Sequence, residues 1–228
     1  MQDILFDIRW LENSILEYEK EPIEKGKILF YGHSLFTRWG PKHGHRRMDE
    51  DIRAKDGSLA VVNHGFGTST SEELVYYYDR MVRPWEPRAL VIATSGNDYM
   101  YGFSVDHIMS NVIKLCTWAR ADFPGIKIFL CEPHPAPKHK NDPVPDKWND
   151  VYYLRDRFKV ELRQYAAQHE DTKVIELWNQ PAFFETPEDV GDPHKVREDI
   201  FVADKVHPNQ AGYDILGPIF RKALDEVL

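Results

Sequence analysis

Three side chains of this sequence have the chemistry of a nucleophile and its proton-transfer partners. Ser34 stands two residues after a glycine, at a predicted turn from strand to helix, where a tight backbone exposes the hydroxyl group. Asp204 lies three residues before His207, and Pro208 follows directly, so the carboxylate can fold back onto the imidazole. An alcohol, an imidazole and an orienting acid are the groups that acyl transfer to water requires.

Each of these motifs also has a plain structural explanation. A serine at the start of a helix most often serves as an N-cap. An aspartate three residues before a histidine can be a capped turn that carries its histidine on the surface. Neither motif is specific alone, so the prediction depends on which other groups the fold brings to the same place.

Two further segments offer donors for the oxyanion that develops during acyl transfer. The segment Ser95-Gly96-Asn97-Asp98 supplies a side-chain amide at Asn97, and the segment from Asn63 to Thr68 supplies backbone amides. Taken separately, each segment is only a loop. An oxyanion site is predicted only if both segments lie beside Ser34.

The hydrophobic pattern predicts strands that alternate with helices. We predict strands at residues 27–31, 59–62, 89–93, 126–130 and 174–177, and helices over about 1–20, 71–83, 104–121, 147–169 and 210–228. This alternation favours right-handed crossovers and a mostly parallel sheet between two layers of helices. Ligands of such sheets bind beyond the carboxyl ends of the strands, which is where the polar segments described above fall.

Composition and charge narrow the class of protein. The chain has 228 residues, of which 42% are hydrophobic and 29% charged, and no linker-like segment, so we predict one domain over residues 1–228. The formal charge of −8 argues against a nucleic-acid partner, because such binding requires clustered basic residues. His33, His43 and His45 lack a clear further ligand on a rigid element, so we predict no metal site.

The cysteines and the N-terminus bear on the cellular compartment. Cys116 and Cys131 lie in a helical pattern and at the end of an apolar run, which favours reduced thiols over a disulfide framework. The N-terminus is amphipathic and carries acidic residues early, unlike a signal peptide, and no stretch is apolar enough to span a bilayer. We therefore expect a cytoplasmic protein without a membrane partner, and a homodimer stays open.

The order and spacing of four blocks resemble the signature blocks of the SGNH/GDSL hydrolases. The blocks are Gly32-His33-Ser34, Asn63-x-Gly65-x-Gly67, Gly96-Asn97-Asp98 and Asp204-x-x-His207-Pro208. The resemblance extends over nearly the whole chain, which is similar to a bacterial branch of the GDSL-type esterases. Further matching segments are Phe36 to Trp39, Tyr78 to Arg80, Pro84 to Arg88 and Asn209 to Tyr213.

The resemblance implies a flavodoxin-like three-layer α/β/α sandwich around a five-stranded parallel sheet. It also implies that Ser34 is the nucleophile, that His207 acts as general base and then acid, and that Asp204 orients His207. The oxyanion hole would combine the Ser34 amide, the Asn97 side chain and an amide of the second block. The supporting glycines would be Gly65, Gly67 and Gly96. No metal or organic cofactor is implied.

Two positions depart from the family pattern. His33 stands where the family usually has an aspartate, so that residue is either dispensable or replaced by an imidazole. Thr68 stands where the family usually has the oxyanion glycine, although Gly67 or Gly65 are alternative positions. An amide donor remains in each case, because every residue except proline has one.

We therefore expect an enzyme that hydrolyses a small-molecule ester, such as an acetyl ester of a carbohydrate. One alternative is a binding protein whose activity has been lost through His33 and Thr68. Another is an acyltransferase that uses the same three residues with an acceptor other than water. The segment from Asn179 to Ile200 is either a lid or a passive surface loop, and the segment from Glu132 to Pro135 either lines the pocket or only ends a strand.

Overall fold

The fold is built around one parallel β-sheet. The computed structural model describes residues 9–137 and 146–228. The strands are β1 (Ile28–Gly32), β2 (Val61–Gly65), β3 (Ala89–Ala93), β4 (Lys127–Cys131) and β5 (Thr172–Ile175). They pair in the order β2-β1-β3-β4-β5, and every pair is parallel. β1 and β3 are buried along their whole length, as expected where helices cover both faces of a sheet.

Helices pack on both faces of the sheet. They are α1 (Glu12–Tyr18), α2 (Ser34–Thr37), α3 (Met48–Asp51), α4 (Ser71–Met81), α5 (Gly96–Met100), α6 (Val105–Asp122), α7 (Asp146–Ala167) and α8 (Gln210–Ala223). Alternate side chains of β1 enter two separate hydrophobic clusters: Tyr31 joins the cluster that contains Tyr77 of α4, and Phe30 joins the cluster that contains Phe220 of α8. The predicted three-layer α/β/α sandwich is confirmed.

Strand β2 ends at Gly65, three residues later than the sequence predicts. Asn63 and Gly65, expected in the loop after the strand, are strand residues. The reason is the close crossing of α2, since a Cβ atom on Gly65 would lie 2.4 Å from the backbone nitrogen of Thr37. The glycine therefore reflects packing against α2 and not a turn.

The strand β5 lies two residues earlier than predicted, and Glu132 is the reason. The Glu132 side chain is fully buried after β4 and accepts hydrogen bonds from Arg163 Nε (2.6 Å) and from the amides of Leu177 (3.2 Å) and Trp178 (3.1 Å). These amides bind a carboxylate instead of a neighbouring strand. The apolar run therefore continues past the end of the strand.

Among the described residues, the N-terminal helix begins at Glu12 and ends at Tyr18, two residues before its predicted end. Of its expected apolar stripe, Ile4, Leu5 and Ile8 lie outside the described residues. Leu11 and Ile15 are buried, but Leu16 is 43% exposed, so the prediction is wrong for Leu16. One residue is about 100° of helical rotation, which turns Leu16 away from the face that Ile15 buries. At the other end of the chain, α8 ends at Ala223 and not at residue 228.

The segment between β5 and α8 is ordered by three short 3₁₀ turns. These turns are Pro181–Phe183, Pro187–Asp189 and Pro193–Lys195. Phe183 and Phe184 are buried in the same cluster as α8, so this part of the segment packs against the sandwich. Cys116 and Cys131 are buried free thiols. No helix among the described residues is both long and apolar enough to cross a membrane.

Candidate active site

The carboxyl end of β1 delivers Ser34 to the edge of the sheet. Ser34 is the first residue of α2, two residues after the strand ends at Gly32. A Cβ atom on Gly32 would lie 2.5 Å from the carbonyl oxygen of Ala93 on β3, so only glycine fits there. This close approach places the nucleophile segment directly beside the segment that follows β3.

His33 caps the N-terminus of α2. Its Nδ1 atom accepts a hydrogen bond from the Leu35 amide at 3.2 Å, and the carbonyl of Thr94 accepts a hydrogen bond from the ring. Burial is the main cause that lowers the pKa of His33 to about 3, and the charges that His134 and His207 carry when protonated, together with Arg155, act in the same direction, so the ring is neutral at pH 7. The imidazole thus caps α2 at the position where the family pattern has an aspartate.

Ser34, His207 and Asp204 form a continuous chain of hydrogen bonds. The Ser34 hydroxyl lies 2.8 Å from Nε2 of His207, and Nδ1 of His207 lies 2.7 Å from Oδ2 of Asp204. Because the carboxylate accepts at Nδ1–H, the Nε2 atom is left to accept the serine proton. Ser34 and His207, which are 173 positions apart in the sequence, therefore meet at proton-transfer distance, as the blocks predict.

The turn at residues 204–207 holds the Asp204 carboxylate in its ionised form. Its Oδ1 atom accepts hydrogen bonds from the amides of Val206 (2.8 Å) and His207 (2.9 Å). Partial burial raises the pKa of Asp204, but the amide and ring of His207 and the amide of Val206 outweigh it and bring the pKa to about 2. Lys205 adopts the left-handed region with φ of 56°, which lets the chain fold back over the carboxylate. Arg38 Nη1 lies 3.4 Å from Oδ2 on the outer side.

The environment of His207 keeps this imidazole available as a base. Burial lowers its pKa below 6.5, and the positive charges of Arg38 and His43 act in the same direction, while Asp204 opposes them. The net shift is downward, so His207 is neutral at pH 7. A neutral imidazole that is hydrogen-bonded to a hydroxyl can remove its proton.

The start of α8 fixes the position of the histidine turn. The side chain of Asn209 caps the helix by accepting from the Gly212 amide at 3.2 Å, and it donates to the carbonyl of Asp199 at 2.8 Å. A Cβ atom on Gly212 would lie 2.5 Å from the carbonyl oxygen of Ile200. Asn209 and Gly212 have no role predicted from the sequence, although a capping asparagine just after the His-Pro pair is a recognisable helix-start signal.

The segment after β3 is tied to the second block through Asn97 and Asp98. Asn97 Nδ2 donates to the carbonyl of Ser69 at 2.8 Å, which leaves the second hydrogen of this amide for another acceptor. Asp98 is fully buried and accepts from the amides of Ser71 (2.8 Å) and Ser95 (3.1 Å). Gly96, expected in a loop, instead begins the short helix α5.

Thr68 is exposed and adopts a left-handed backbone with φ of 66°. Such a conformation is readily adopted by glycine and costs other residues about 1–2 kcal/mol. Ser95 has φ of 94°, so Thr68, Ser95 and Lys205 all carry positive φ angles in segments that approach Asn97 and His207. Strain of this kind is concentrated at functional sites in many proteins.

A cavity of about 320 Å³ opens over Ser34 and His207. Asn97, Pro133 and His134 line it, and the last two agree with the interpretation that the segment after β4 borders the pocket. Met100 and Arg155 also line it, although no sequence signal predicts this. Residues 63–68 do not line this cavity. Asn63, Gly65 and Gly67 instead line a larger cavity of about 860 Å³ between α1 and the second block, which contains none of the three triad residues. The smaller cavity is the candidate active site because Ser34, Asp204 and His207 line it.

Within residues 9–137 and 146–228, no group of three or more histidine, cysteine, aspartate and glutamate side chains is arranged to hold a metal ion. His43 and His45 are exposed or partly exposed, and burial is the main cause of their lowered pKa values.

The chain is similar to solved structures over almost its whole length. A protein from Bacteroides fragilis assigned as an acylhydrolase shares 18% identity and a TM-score of 0.69, with 97% of this chain and 98% of that chain covered. A GDSL-like lipase from Bacteroides thetaiotaomicron shares 19% identity and a TM-score of 0.65 over 97% and 98% of the two chains. A variant of an acetyl-xylooligosaccharide esterase from Geobacillus shares 18% identity and a TM-score of 0.64 over 89% and 95%. These likenesses show the fold.

No curated protein has a sequence significantly similar to this chain. The family model of the GDSL-like lipases and acylhydrolases, in contrast, matches residues 30–215, which include all four blocks and both ends of the hydrogen-bond chain. The chain therefore belongs to the GDSL-like lipase/acylhydrolase family.

Proposed function

We propose that this protein is a serine hydrolase of small carboxylic esters, with Ser34 as nucleophile, His207 as general base and acid, and Asp204 as the orienting carboxylate. The observation that carries the proposal is the unbroken chain from the Ser34 hydroxyl through both nitrogens of His207 to Asp204, at 2.8 and 2.7 Å. Membership in an acylhydrolase family supports the same reaction class.

The first half of the reaction transfers the acyl group to the protein. His207 Nε2 takes the proton of Ser34 while the serine oxygen attacks the ester carbonyl carbon, and Asp204 stabilises the imidazolium that forms. The tetrahedral intermediate collapses when the carbon–oxygen bond to the alcohol breaks. The imidazolium then gives its proton to the departing alcohol, which leaves an acyl ester on Ser34.

The second half of the reaction transfers the acyl group to water. His207 takes a proton from a water molecule, whose oxygen attacks the acyl ester, and then returns the proton to the Ser34 oxygen as the carboxylic acid leaves. The neutral form of His207 is required at the start of both halves. Its lowered pKa secures that form at pH 7.

The negative charge on the tetrahedral oxygen requires donors. We assign two of these donors to the Ser34 amide at the start of α2 and to the second hydrogen of the Asn97 side-chain amide. We assign the third to the Thr68 or Gly67 amide of the second block, which adjoins Asn97 through Ser69 although residues 63–68 do not line this cavity. The Ser69 carbonyl that accepts from Asn97 supports this placement of the second block. Asn97 itself lines the cavity over Ser34.

The cavity of about 320 Å³ is at the lower end of ligand-site volumes, which favours small esters over long acyl chains. An acetyl ester of a carbohydrate fits this size, and the similar Geobacillus structure is an acetyl-xylooligosaccharide esterase. We therefore propose acetyl esters as the first substrates to examine.

A fluorophosphonate probe tests the assignment of the nucleophile. The wild-type protein and a Ser110→Ala control, which removes an exposed serine of α6, should be labelled equally. Ser34→Ala should remove the label, and His207→Ala should slow labelling strongly. Equal labelling of wild type and Ser34→Ala would remove the proposed nucleophile, and absence of labelling in the wild type would favour a binding protein on the same fold.

A further inference from the structure

The helix α7 brings one arginine into the wall of the active-site cavity. Among the described residues that line this cavity, two have a formally charged side chain: Arg155 and Asp204. The Asp204 carboxylate is bound by His207 and by two backbone amides. Arg155 is therefore the charged group of the described wall that the proposed reaction does not use.

The guanidinium of Arg155 lies within electrostatic reach of the reaction centre. Burial is the main cause of the lowered pKa of His33, and His134, His207 and then Arg155 add to it. The same positive charge contributes to the lowered pKa of His134, again after burial. His33 directly precedes the proposed nucleophile and His134 lines the same cavity, so the guanidinium lies near the place that a bound ester occupies.

Two other arginines of α7 lie outside the wall of this cavity. Arg157 is paired with Asp106 at the start of α6, and Arg163 is paired with Glu132 after β4. Neither residue lines the cavity over Ser34. Two neighbours on one helix thus have different surroundings, and Arg157 is a natural control for Arg155.

A guanidinium in such a wall is suited to a carboxylate. Its planar fork of five N–H donors matches the two oxygens of a carboxylate, and the pair can form two parallel hydrogen bonds. Arg155 is half-buried, and an ion pair that is partly removed from water is screened less than one on the surface. A neutral ester offers carbonyl and hydroxyl acceptors but no carboxylate that matches this fork.

We propose that Arg155 binds a carboxylate of the substrate, so that the preferred esters of this protein carry a negative charge. This inference rests on the proposed function, because it places the charged group beside the ester that Ser34 attacks. The carboxylate belongs either to the acyl half, as in a hemiester of a dicarboxylic acid, or to the alcohol half, as in an ester of a hydroxy acid.

Matched pairs of small esters distinguish these two sources. For the acyl half, monoethyl succinate is compared with ethyl succinamate, in which an amide replaces the carboxylate and the ethyl ester is kept, so that the shape is nearly the same without the charge. For the alcohol half, 4-acetoxybenzoate is compared with 4-acetoxybenzamide. The wild type is expected to prefer the charged member of one pair in kcat/KM by about tenfold to a hundredfold, the range of a hydrogen bond to a charged group.

Variants of Arg155 connect that preference to the guanidinium. Arg155→Gln should remove the preference by raising KM for the charged ester. For the neutral ester that carries the amide group, kcat/KM should change less than about threefold. Arg155→Lys should restore part of the preference, and Arg157→Gln should keep all of it. Parallel losses on charged and neutral esters would overturn the inference, because they indicate a structural or general catalytic effect.

Inhibition of the wild type gives a second measurement that needs no variant. Benzoate should inhibit hydrolysis of the neutral esters competitively and more strongly than benzamide, and the difference should shrink as the salt concentration rises. Equal inhibition by the two compounds would contradict the inference. If neutral esters are hydrolysed in a Ser34-dependent way but no charged ester is preferred, the inference fails alone. If no ester of any kind is hydrolysed, the proposed function fails as well.

Discussion

The two halves of the candidate site differ in how completely the fold assembles them. In the proton-transfer half, Ser34, His207 and Asp204 are joined by hydrogen bonds of 2.8 and 2.7 Å. In the oxyanion half, Asn97 donates to the Ser69 carbonyl at 2.8 Å, and Thr68 is exposed and outside the cavity that Ser34 lines. The first half is already connected by hydrogen bonds in the order that the proposed proton transfer requires, whereas the second is a pair of neighbouring segments.

The difference follows from what holds each half. Asp204 is oriented by amides only two and three residues away, and Ser34 by the helix that His33 caps. These are local interactions that a short sequence motif can encode. The oxyanion half depends on packing between α5 and the start of α4, which Asp98 joins by accepting from the Ser71 amide. Local turn chemistry thus sets the proton relay, and tertiary packing sets the charge-stabilising donors.

The largest expected effect is loss of the base. His207→Ala should lower kcat on p-nitrophenyl acetate by about 10⁴-fold or more, because Ser34 then has no proton acceptor. His194→Ala removes an exposed histidine of the segment 193–195 and should leave kcat unchanged. A loss of less than tenfold in His207→Ala would mean that the proton-transfer half is not the working part of the site.

The second-largest effect is expected in the oxyanion half of the site. Asn97→Ala should lower kcat by about 10²- to 10³-fold with little change in KM, because the lost donor acts on charge that develops in the transition state. Asn111→Ala removes a buried amide that donates to Ser71 Oγ at 3.0 Å outside the cavity, and it serves as the matched control. Equal effects of the two variants would assign Asn97 to packing alone.

The pH profile tests the electrostatics of the proton-transfer half. Because the base must be neutral, kcat/KM should fall about tenfold per pH unit on the acid side of the His207 pKa, and that limb should lie below pH 6.5. Arg38→Met removes a positive charge that lowers the pKa of His207, so the limb should move to higher pH. Arg53→Met, at an exposed arginine bonded to the Gly57 carbonyl, should leave the limb in place. An unmoved limb in Arg38→Met would contradict the assignment.

The smallest effect concerns the second-block backbone. Thr68→Gly removes the energetic cost of a left-handed backbone at a residue with a side chain, but it also increases the conformational entropy of the unfolded chain. The two effects oppose each other, so the free energy of unfolding should change by no more than about 1 kcal/mol. Turnover should change less than about tenfold, since the backbone amide stays in both residues. Urea unfolding and initial rates measure both quantities, with Thr68→Ala to separate the hydroxyl from the backbone strain. A large gain in activity would show that Thr68 restrains the oxyanion half.

Much of the fold and the proton-transfer half could be predicted from the sequence, because the relevant signals are local. Strand β3 lies where the apolar run predicts it, and Ser34 and His207 meet as the block order predicts. The end of β2 could not be predicted, since the reason for Gly65 is the crossing of α2 far away in the chain. The same holds for Arg155, whose position in the cavity depends on how α7 packs and not on any motif.

The central claim is that an ester passes through a covalent intermediate on the first residue of α2. The most direct measurement is acid quenching of the protein during turnover of p-nitrophenyl acetate, followed by proteolysis and mass spectrometry of the peptides. The account predicts an acetyl group on the peptide that contains Ser34, and its absence from that peptide in Ser34→Ala. An acetyl group that is found elsewhere and persists in Ser34→Ala, with turnover intact, would contradict the account.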